Sequence, residues 1–310
     1  MSNPKSSHLI SLQTDGLYLL NLNETTSLKL NLPFTLPAKT EPVCILHCRG
    51  MICLTLKDNN DLAIWKPGLE KFKRIPMVEP GQTTDLLGFG YDRVTDDYKI
   101  VMVNGFNTYI YAFKESFWRE SVKNTSLHCK FNDRTGTVVD HCMYWIADRS
   151  HNKTSQRQNT ILCFDFSKEE YQELLSPMYT DSKLSSWLGV SRGELCVIDH
   201  YPCLDNDICL WRLERRNKKI TQWNIDPCIN MKENVKGFKK FDVGLACLAR
   251  NKNFDVGFAC ITRNEELFVV VKGNGKEEDK VMVYNEIRMK FIEVPFRSSL
   301  NGFRCMTVTD

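Results

Sequence analysis

The sequence contains no long apolar run and little net charge, and each absence argues against a class of function. No stretch of its 310 residues reaches the roughly 18–20 apolar residues that a membrane-spanning helix needs. The net charge of +3 is too small to predict nucleic-acid binding, which requires basic residues gathered on one face. The N-terminal segment MSNPKSSHLISLQTDG lacks the apolar core of a signal peptide. We therefore expect no membrane or nucleic-acid partner, and a location in the cytoplasm or nucleus.

Motifs for metals, cofactors and catalysis are also missing. No CxxC pair occurs, and none of the six histidines has the HExxH or paired-ligand spacing of a metal site. The segment GFGYD lacks the strand–glycine–helix context of a dinucleotide fingerprint, and VKGNGKEEDK lacks Walker spacing. The pair Asp96–Asp97 precedes a strand and is expected to cap a turn, while Asp140 and His141 are expected to be structural. The sequence predicts no catalytic residue, no metal ligand and no cofactor, and thus a protein that is not an enzyme.

Cysteine is abundant but does not form a disulfide pattern. The count of thirteen is odd, and no signal sequence directs the chain to an oxidising compartment. Cys53, Cys163 and Cys196 lie inside apolar runs, where cysteine behaves as a small hydrophobic residue. We therefore expect reduced, buried thiols.

Short apolar runs rich in β-branched and aromatic residues alternate with turn residues, which is typical of strands. Within them a pattern recurs, in which a strand ends in an aromatic residue and a returning strand begins with another one seven residues later. In one copy the tip is five residues longer, and a weaker copy surrounds Leu20. The aromatic pairs are Trp65–Phe72, Tyr111–Trp118, Phe164–Tyr171, Trp211–Trp223 (the longer tip) and Tyr284–Phe291.

A further strand, entered through a turn, precedes most of these hairpins, as in CRGMICLTL, DHCMYWIA and SRGELCVI. Four strands per unit of about 40–50 residues are the signature of a β-propeller blade, and six such units fill the chain. The sequence thus predicts an all-β, β-propeller-like fold of six blades with about four antiparallel strands each, in a single domain over residues 1–310. We expect the N-terminal segment HLISLQ to pair with the C-terminal segment FRCMTV.

One segment is nearly duplicated in tandem. Lys239–Asn251 matches Lys252–Asn264 at nine of thirteen positions. Thirteen residues are too few for a blade, so the repeated segment is interpreted as a local duplication within the last unit. Either copy could supply the first strand of that unit.

Several motifs resemble those of the plant F-box-associated domain. The segment LLGFGYDRVTDDYKIVMV (Leu86–Val103, the hallmark segment below) resembles the GFGYD…T-DDYKVV element of that family. CRGMICL, ILCFDFSKEEYQELLSP, LGVSRGELCVI and LWRLE…ITQWNI are similar to further elements of the family, in the same order. Within the family the chain looks closest to the S-locus F-box and S-locus-like group.

The resemblance implies a non-catalytic protein-binding propeller that holds the substrate of an SCF-type ubiquitin ligase. S-locus members resemble receptors for pistil ribonucleases, so such a ribonuclease is the implied partner. The family carries an F-box that docks on a Skp adaptor and hence on the cullin. No F-box motif precedes HLISLQTDGLYLLNLN here, so Skp and cullin are expected as partners only if an F-box is supplied. The alternative is a free-standing interaction protein, a decoy, or a truncated relic that is not coupled to ubiquitination.

Binding is expected where the loops differ between blades while the strands do not. The connections from second to third strand vary most, and two of them carry opposite charge, which suits selection of a protein partner. The alternative is that these loops are tolerated insertions, and the basic tip RLERRNKK (Arg212–Lys219) is interpreted as a solvated hairpin end. The candidate partner-binding residues are Arg149, His151, Lys153 and Arg157 in the basic loop, and Asp199, His200, Tyr201, Asp205 and Asp207 around the acidic one.

Overall fold

The computed structural model describes the chain in segments that contain most of the expected strands. These are residues 8–13, 16–21, 26–34, 42–56, 61–78, 85–105, 107–121, 130–131, 136–148, 159–177, 185–201, 207–216, 219–226, 229–230, 255–261, 267–272, 280–285, 290–293 and 304–308. Every regular element in these segments is a β-strand. Among them there is accordingly no helix with the length and apolar character to cross a membrane.

The strands are numbered in chain order. They are β1 (His8–Gln13), β2 (Gly16–Asn21), β3 (Thr26–Lys29), β4 (Pro42–Cys48), β5 (Met51–Leu56), β6 (Asp61–Trp65), β7 (Phe72–Pro76), β8 (Leu86–Asp92), β9 (Asp97–Asn104), β10 (Asn107–Ala112), β11 (Phe117–Glu120), β12 (Lys130–Phe131), β13 (Thr137–Val139), β14 (Cys142–Asp148), β15 (Asn159–Asp165), β16 (Glu170–Leu175), β17 (Ser185–Ser191), β18 (Glu194–Tyr201), β19 (Asp207–Arg216), β20 (Lys219–Ile225), β21 (Ile229–Asn230), β22 (Asp255–Ile261), β23 (Leu267–Lys272), β24 (Lys280–Asn285), β25 (Lys290–Glu293) and β26 (Arg304–Val308).

The chain divides into two compact units. The first comprises residues 1–29 and 180–307, and its described strands form the sheets β26-β1-β2-β3, β17-β18-β19-β20 and β22-β23-β24-β25, with β21 added to β19. The second comprises residues 30–179 and 308–310, and its described strands form the sheets β4-β5-β6-β7, β8-β9-β10-β11 and β12-β14-β15-β16, with β13 also paired to β14. The all-β prediction of repeated four-stranded antiparallel sheets is confirmed. That residues 1–310 form a single domain stays a prediction.

The seven-residue aromatic pattern places its two members directly opposite each other. The pairs Trp65–Phe72, Tyr111–Trp118, Phe164–Tyr171 and Tyr284–Phe291 are all cross-strand neighbours of a third and a fourth strand. Such aromatic neighbours stabilise a sheet through their side-chain contact. The longer hairpin departs from the pattern: Trp211 faces Ile225, and Trp223 faces Leu213, beside an irregularity after Glu214.

Three of the aromatic residues at or next to the end of a third strand belong to the core of their sheets. Trp65, Tyr111 and Phe164 are buried, whereas Trp211 is half-buried. The Tyr111 and Trp118 rings meet edge to face, and the Phe164 and Tyr171 rings are tilted with centroids 4.9 Å apart. These arrangements are favoured for aromatic pairs.

The cysteine prediction holds for five described residues and is wrong for a sixth. Cys48, Cys53, Cys142, Cys163 and Cys196 are buried thiols. Cys209 is equally buried, but it is disulfide-bonded. The burial of a cysteine does not by itself prevent its sulfur from forming a disulfide with a second cysteine.

The duplicated segment contributes its second copy to the sheet. Strand β22 lies within residues 252–264 and pairs with β23. The first copy, residues 239–251, lies outside the described residues. In another sheet, β26 pairs with β1. The predicted pairing of HLISLQ with FRCMTV is therefore confirmed.

Candidate protein-binding site

The predicted binding loops connect second and third strands of their sheets. Asp148 at the end of β14 pairs with Asn159 at the start of β15, and Tyr201 of β18 pairs with Asp207 of β19. Because the strands are antiparallel, these connections leave each sheet at the end opposite to the turns that join first to second and third to fourth strands. The expected position of both loops in the strand order is confirmed.

The basic loop residues Arg149, His151, Lys153 and Arg157 lie outside the described residues, and so does Asp205. Asp207 is described as the first residue of β19, where its backbone pairs with both Tyr201 and Asn230. The binding role of this set, and the proximity of the two loops, stay predictions.

Two residues of the acidic group lie below the surface. The exposed fraction is 2% for Asp199 and 7% for His200, near the end of β18. A partner cannot contact side chains covered to this extent, so these two residues do not offer direct contacts in this conformation. Tyr201, next along the strand, is half-buried and reaches the surface with part of its ring.

The Asp199 carboxyl is held in a poorly solvated position. Burial raises its pKa to about 6, and a 2.5 Å hydrogen bond donated by the hydroxyl of Ser186 opposes the shift. Ser186 is the direct cross-strand neighbour of Asp199. The indole N–H of Trp211 lies near enough to favour the carboxylate, but Nε1 is buried without reaching hydrogen-bond geometry among the described residues. Burial also raises the pKa of Tyr201 to about 12, aided by the Asp199 charge.

A second polar cluster, which the sequence did not predict, surrounds Lys99 in the second unit. Its ammonium group donates to Asp92 Oδ2 at 2.9 Å, to Glu169 Oε1 at 2.8 Å and to the carbonyl oxygen of Phe166 at 2.9 Å. These three acceptors satisfy all three N–H donors of the ammonium. Arg119 donates to the same Glu169 oxygen at 2.5 Å. We call Asp92, Lys99, Arg119, Ser167 and Glu169 the latch cluster.

Hydrogen bonds outweigh burial in setting the charges of the latch cluster. Burial opposes ionisation of Asp92, but donors from Ser167, Lys99 and Thr95 and from the Val94 backbone hold its pKa well below the usual range. Burial likewise opposes ionisation of Glu169, and Arg119 and Lys99 reverse the effect and lower its pKa. The cluster is therefore ionised and paired at neutral pH.

The glycines of the hallmark segment make room for the neighbouring sheet. A Cβ atom on Gly90 would overlap the ring of Phe166, and one on Gly88 would lie 2.7 Å from Val101 and 3.0 Å from Trp145. Phe166 is fully buried and its carbonyl accepts from Lys99. Together with the latch cluster, the glycines join strands β8 and β9 to the turn between β15 and β16. The hallmark segment therefore packs the sheet that contains β8 and β9 against the sheet that contains β15 and β16.

Further contacts in the second unit join residues at or next to the turns between first and second strands. The Arg49 guanidinium lies 3.8 Å from the centroid of the Tyr91 ring, and Arg93 pairs with Asp140 at 3.7 Å. Asp97 Oδ2 accepts from the backbone N–H of Lys114 at 2.9 Å, in the turn between β10 and β11. The turn that precedes β9 is capped instead by Asp92, which accepts from the backbone N–H of Val94. The polar groups here are occupied by one another.

One group of potential metal ligands was not predicted. A ring nitrogen of His141, Cys142 Sγ and a carboxylate oxygen of Asp165 all lie within 4.8 Å of one another. His141 and Cys142 begin β14 and Asp165 ends β15, where Cys142 and Asp165 are direct cross-strand partners. The sequence carries no local signal for this group, because Cys142 and Asp165 are 23 residues apart along the chain.

Comparison with known families and proteins finds a family that matches almost the whole chain and relatives that match about half of it. The family described as "F-box associated beta propeller domain" matches residues 8–305. A putative F-box protein of Arabidopsis thaliana is 38% identical over 165 residues, which cover 52% of this chain and 44% of the relative. A further F-box protein of Arabidopsis thaliana is 33% identical over 192 residues, covering 58% and 50%. The chain thus spans about half the length of these curated relatives.

Solved structures with similar folds are distant in sequence. One chain of a nidogen/laminin complex has a TM-score of 0.51 at 11% identity, covering 92% of both chains. A putative 6-phosphogluconolactonase from Bacteroides uniformis has a TM-score of 0.51 at 10% identity, covering 98% of this chain and 99% of that one. At such identities the likeness extends to the fold alone.

Proposed function

The chain belongs to the F-box associated beta propeller domain family, and on that premise we propose that it is a non-catalytic module that binds a target protein for a ubiquitin ligase of the SCF type. The family match over residues 8–305 carries this proposal, since the curated relatives that share the domain are F-box proteins. The module presents the target, and the ligase supplies the chemistry. We place this activity in the cytoplasm or nucleus.

The distribution of contacts supports one end of the sheets as the binding surface. In the second unit, the turns joining first to second and third to fourth strands engage one another through Arg93 and Asp140 and through the latch cluster. The second-to-third connections carry the charged residues that vary between repeats, such as Lys153 and Arg157. Binding surfaces on rigid scaffolds are commonly built from such variable loops.

Within this function, the target class is proposed to be a pistil ribonuclease, on the resemblance of the chain to the S-locus group. The experiment measures binding of a purified pistil S-ribonuclease to the chain and to the double variant Lys153→Glu, Arg157→Glu. A contact through the basic loop predicts at least tenfold weaker binding, since removing close charge pairs across an interface costs roughly 1.5 kcal/mol or more.

The matched control reverses the same number of charges at the tip of the long hairpin, in Arg215→Glu, Arg216→Glu. This variant should bind the ribonuclease as the parent chain does. Equal binding by all three chains contradicts the basic loop as the contact. No binding by the parent chain contradicts the ribonuclease as the target class.

Coupling to the ligase is tested separately with a purified plant Skp adaptor. The chain is compared with the same chain carrying an F-box ahead of Met1. Binding by the F-box fusion alone supports a domain that needs an F-box for ubiquitination, which would leave the chain by itself as a free interaction module or decoy. Binding by the chain itself locates an adaptor contact within residues 1–310.

A further inference from the structure

The strongest unassigned feature is the ligand group at one end of the β14–β15 hairpin. His141 Nε2 lies 3.6 Å from Asp165 Oδ2, which is longer than the roughly 2.7–3.2 Å of a protein hydrogen bond. Zinc binds nitrogen and oxygen at about 2.0–2.2 Å and sulfur at about 2.3 Å, so tetrahedral ligand atoms lie roughly 3.3–3.8 Å apart. The spacing of these two atoms is that of metal ligands, and Cys142 Sγ lies within 4.8 Å of both ligand atoms of the group.

A further thiol lies along the same strand, outside the three atoms that are within 4.8 Å of one another, and is a candidate for recruitment as a fourth donor. Cys163 lies two residues before Asp165 on β15, so its side chain is on the same face of the sheet as those of Asp165 and Cys142. Two sulfurs, one imidazole and one carboxylate form a donor set that suits zinc.

The carboxylate is already oriented for this role. Asp165 Oδ1 accepts hydrogen bonds from the backbone of Ser167 at 2.9 Å and of Lys168 at 3.0 Å. These bonds fix the carboxylate and leave Oδ2 facing His141, as outer-shell partners do for metal ligands. The Lys168 ammonium, 3.7 Å from Oδ2 and largely exposed, is the cation that a metal would displace.

The turn residue itself differs from those at equivalent positions. The first hairpins of two other sheets turn through Arg49–Gly50 and Arg192–Gly193, with a positive φ at all four residues. In the β13–β14 hairpin the equivalent residues are Asp140 and His141, and only Asp140 has a positive φ. Histidine therefore occupies a position that glycine fills elsewhere in this chain. Its ring is 40% exposed, which leaves a path for an ion to enter.

We propose that His141, Cys142 and Asp165, with Cys163 as the fourth ligand, form a zinc site that links the β13–β14 turn to the end of β15. Binding requires the thiolate form, so the Cys142 and Cys163 thiols each release a proton to solvent as the ion binds. Asp165 adjoins Phe166, which packs on Gly90 and accepts from Lys99. The ion therefore stiffens the segment that holds the neighbouring sheet.

The test is a titration of the reduced, metal-free chain with Co²⁺, followed by displacement with Zn²⁺. The expected result is one tight equivalent with the intense absorption of tetrahedral cobalt and a thiolate-to-cobalt charge-transfer band. Calorimetry in buffers of different ionisation enthalpy should count the released protons, and Zn²⁺ should raise the Tm.

Two variants separate the site from the fold. His141→Gly restores the residue used by the other turns, and Asp165→Asn keeps an oxygen for the Ser167 and Lys168 amides. Both should retain the Tm of the metal-free chain and bind Co²⁺ at least about tenfold more weakly, since even outer-shell changes cost about 10–100-fold. Cys196→Ala, at a buried thiol outside the cluster, is the matched control and should bind as the parent chain does.

Several outcomes overturn the proposal. An unchanged cobalt spectrum and affinity in both His141→Gly and Asp165→Asn would assign the signal to other cysteines of the chain. A loss of affinity in Cys196→Ala as large as in His141→Gly and Asp165→Asn would do the same. Absence of tight binding by the reduced parent chain excludes the site directly.

Discussion

At the scale of single residues, the buried carboxyl of Asp199 links stability to pH. Its pKa in the folded chain is raised to about 6, against about 3.9 in an unfolded chain. The folded state therefore binds more protons than the unfolded state between these values, and stability falls as pH rises from about 4 to about 6. Above that window the carboxylate is ionised in a place that solvates it poorly.

Replacing Asp199 with asparagine should remove this cost. Asparagine keeps an acceptor for the Ser186 hydroxyl and cannot ionise. We expect Asp199→Asn to be about 1–3 kcal/mol more stable than the parent chain at pH 7.5 and similar to it at pH 4. Urea unfolding at both pH values measures the difference. An equal effect at the two pH values would show that the charge of Asp199 is not its cause.

Gly90 is the second residue-scale prediction. Its missing side chain is the space that the Phe166 ring fills, so Gly90→Ala forces the two sheets apart. Overpacking of this kind costs typically about 1–3 kcal/mol. The control is Gly68→Asn, at a turn with φ of +86° and nothing within 4 Å, where asparagine tolerates the left-handed conformation. Combining Gly90→Ala with Phe166→Leu should recover part of the loss, and strict additivity of the two would contradict the proposed contact.

At the scale of elements, the latch cluster holds the turn between β15 and β16 against β8 and β9. Lys99 is 5% exposed and neutralises Asp92, which is fully buried. Lys99→Met leaves that carboxylate without its partner, and breaking a buried pair in this way costs about 3–5 kcal/mol. The loss should appear as a lower urea midpoint.

The matched control for Lys99→Met is Arg74→Met. Arg74 pairs with Asp61 at 3.6 Å across β6 and β7, but it is about half exposed. An exposed pair contributes roughly 0–1 kcal/mol, so this variant should unfold close to the parent chain. Equal losses in the two variants would mean that burial does not distinguish the two ion pairs.

The tandem duplication of residues 239–251 and 252–264 gives another prediction at the scale of elements. Strand β22 comes from the second copy, so deletion of residues 239–251 leaves the sheet β22-β23-β24-β25 with all its strands. We expect the deleted chain to unfold much as the parent does, because the remaining copy still supplies β22. Deletion of both copies, residues 239–264, removes β22 and should abolish cooperative unfolding. If both deletions behave alike, β22 is not required by its sheet.

The elements themselves could be predicted from sequence because their signals are local. An aromatic residue and its partner seven positions later define a hairpin, and four such pairs are cross-strand neighbours in the structure. The register of β19 and β20 was not predictable, since the irregularity after Glu214 shifts Trp211 onto Ile225. The latch cluster was not predictable either. Lys99 and Glu169 are 70 residues apart, and only packing of two sheets brings them together.

The binding surface could be predicted only as a set of loops. Sequence variation between repeats marks the second-to-third connections, and the described strand ends agree with that assignment at Asp148 and Tyr201. The side-chain positions of Asp199 and His200 were not foreseen. A polar residue near a strand end can be exposed or covered, and here both residues are buried although they lie next to the connecting loop.

At the scale of the whole molecule, the sheet β26-β1-β2-β3 unites segments from the two ends of the sequence. Removing residues 304–310 takes away β26 and leaves β1 as an unpaired edge, which invites association with other chains. We expect the shortened chain to aggregate on mild heating. The control lacks only residues 309–310 and keeps β26 intact. Light scattering during a temperature ramp measures the difference, and coincident curves would contradict a protective role for β26.

The pairing of β26 with β1 also has a consequence for how the protein is made. Strand β1 leaves the ribosome early, while its partner is translated about 300 residues later, which takes roughly 15–60 s at 5–20 residues per second. Throughout that interval the first sheet has a vacant edge. We therefore expect the nascent chain to expose an open strand edge during synthesis, and slow translation of the last segment would lengthen this exposure.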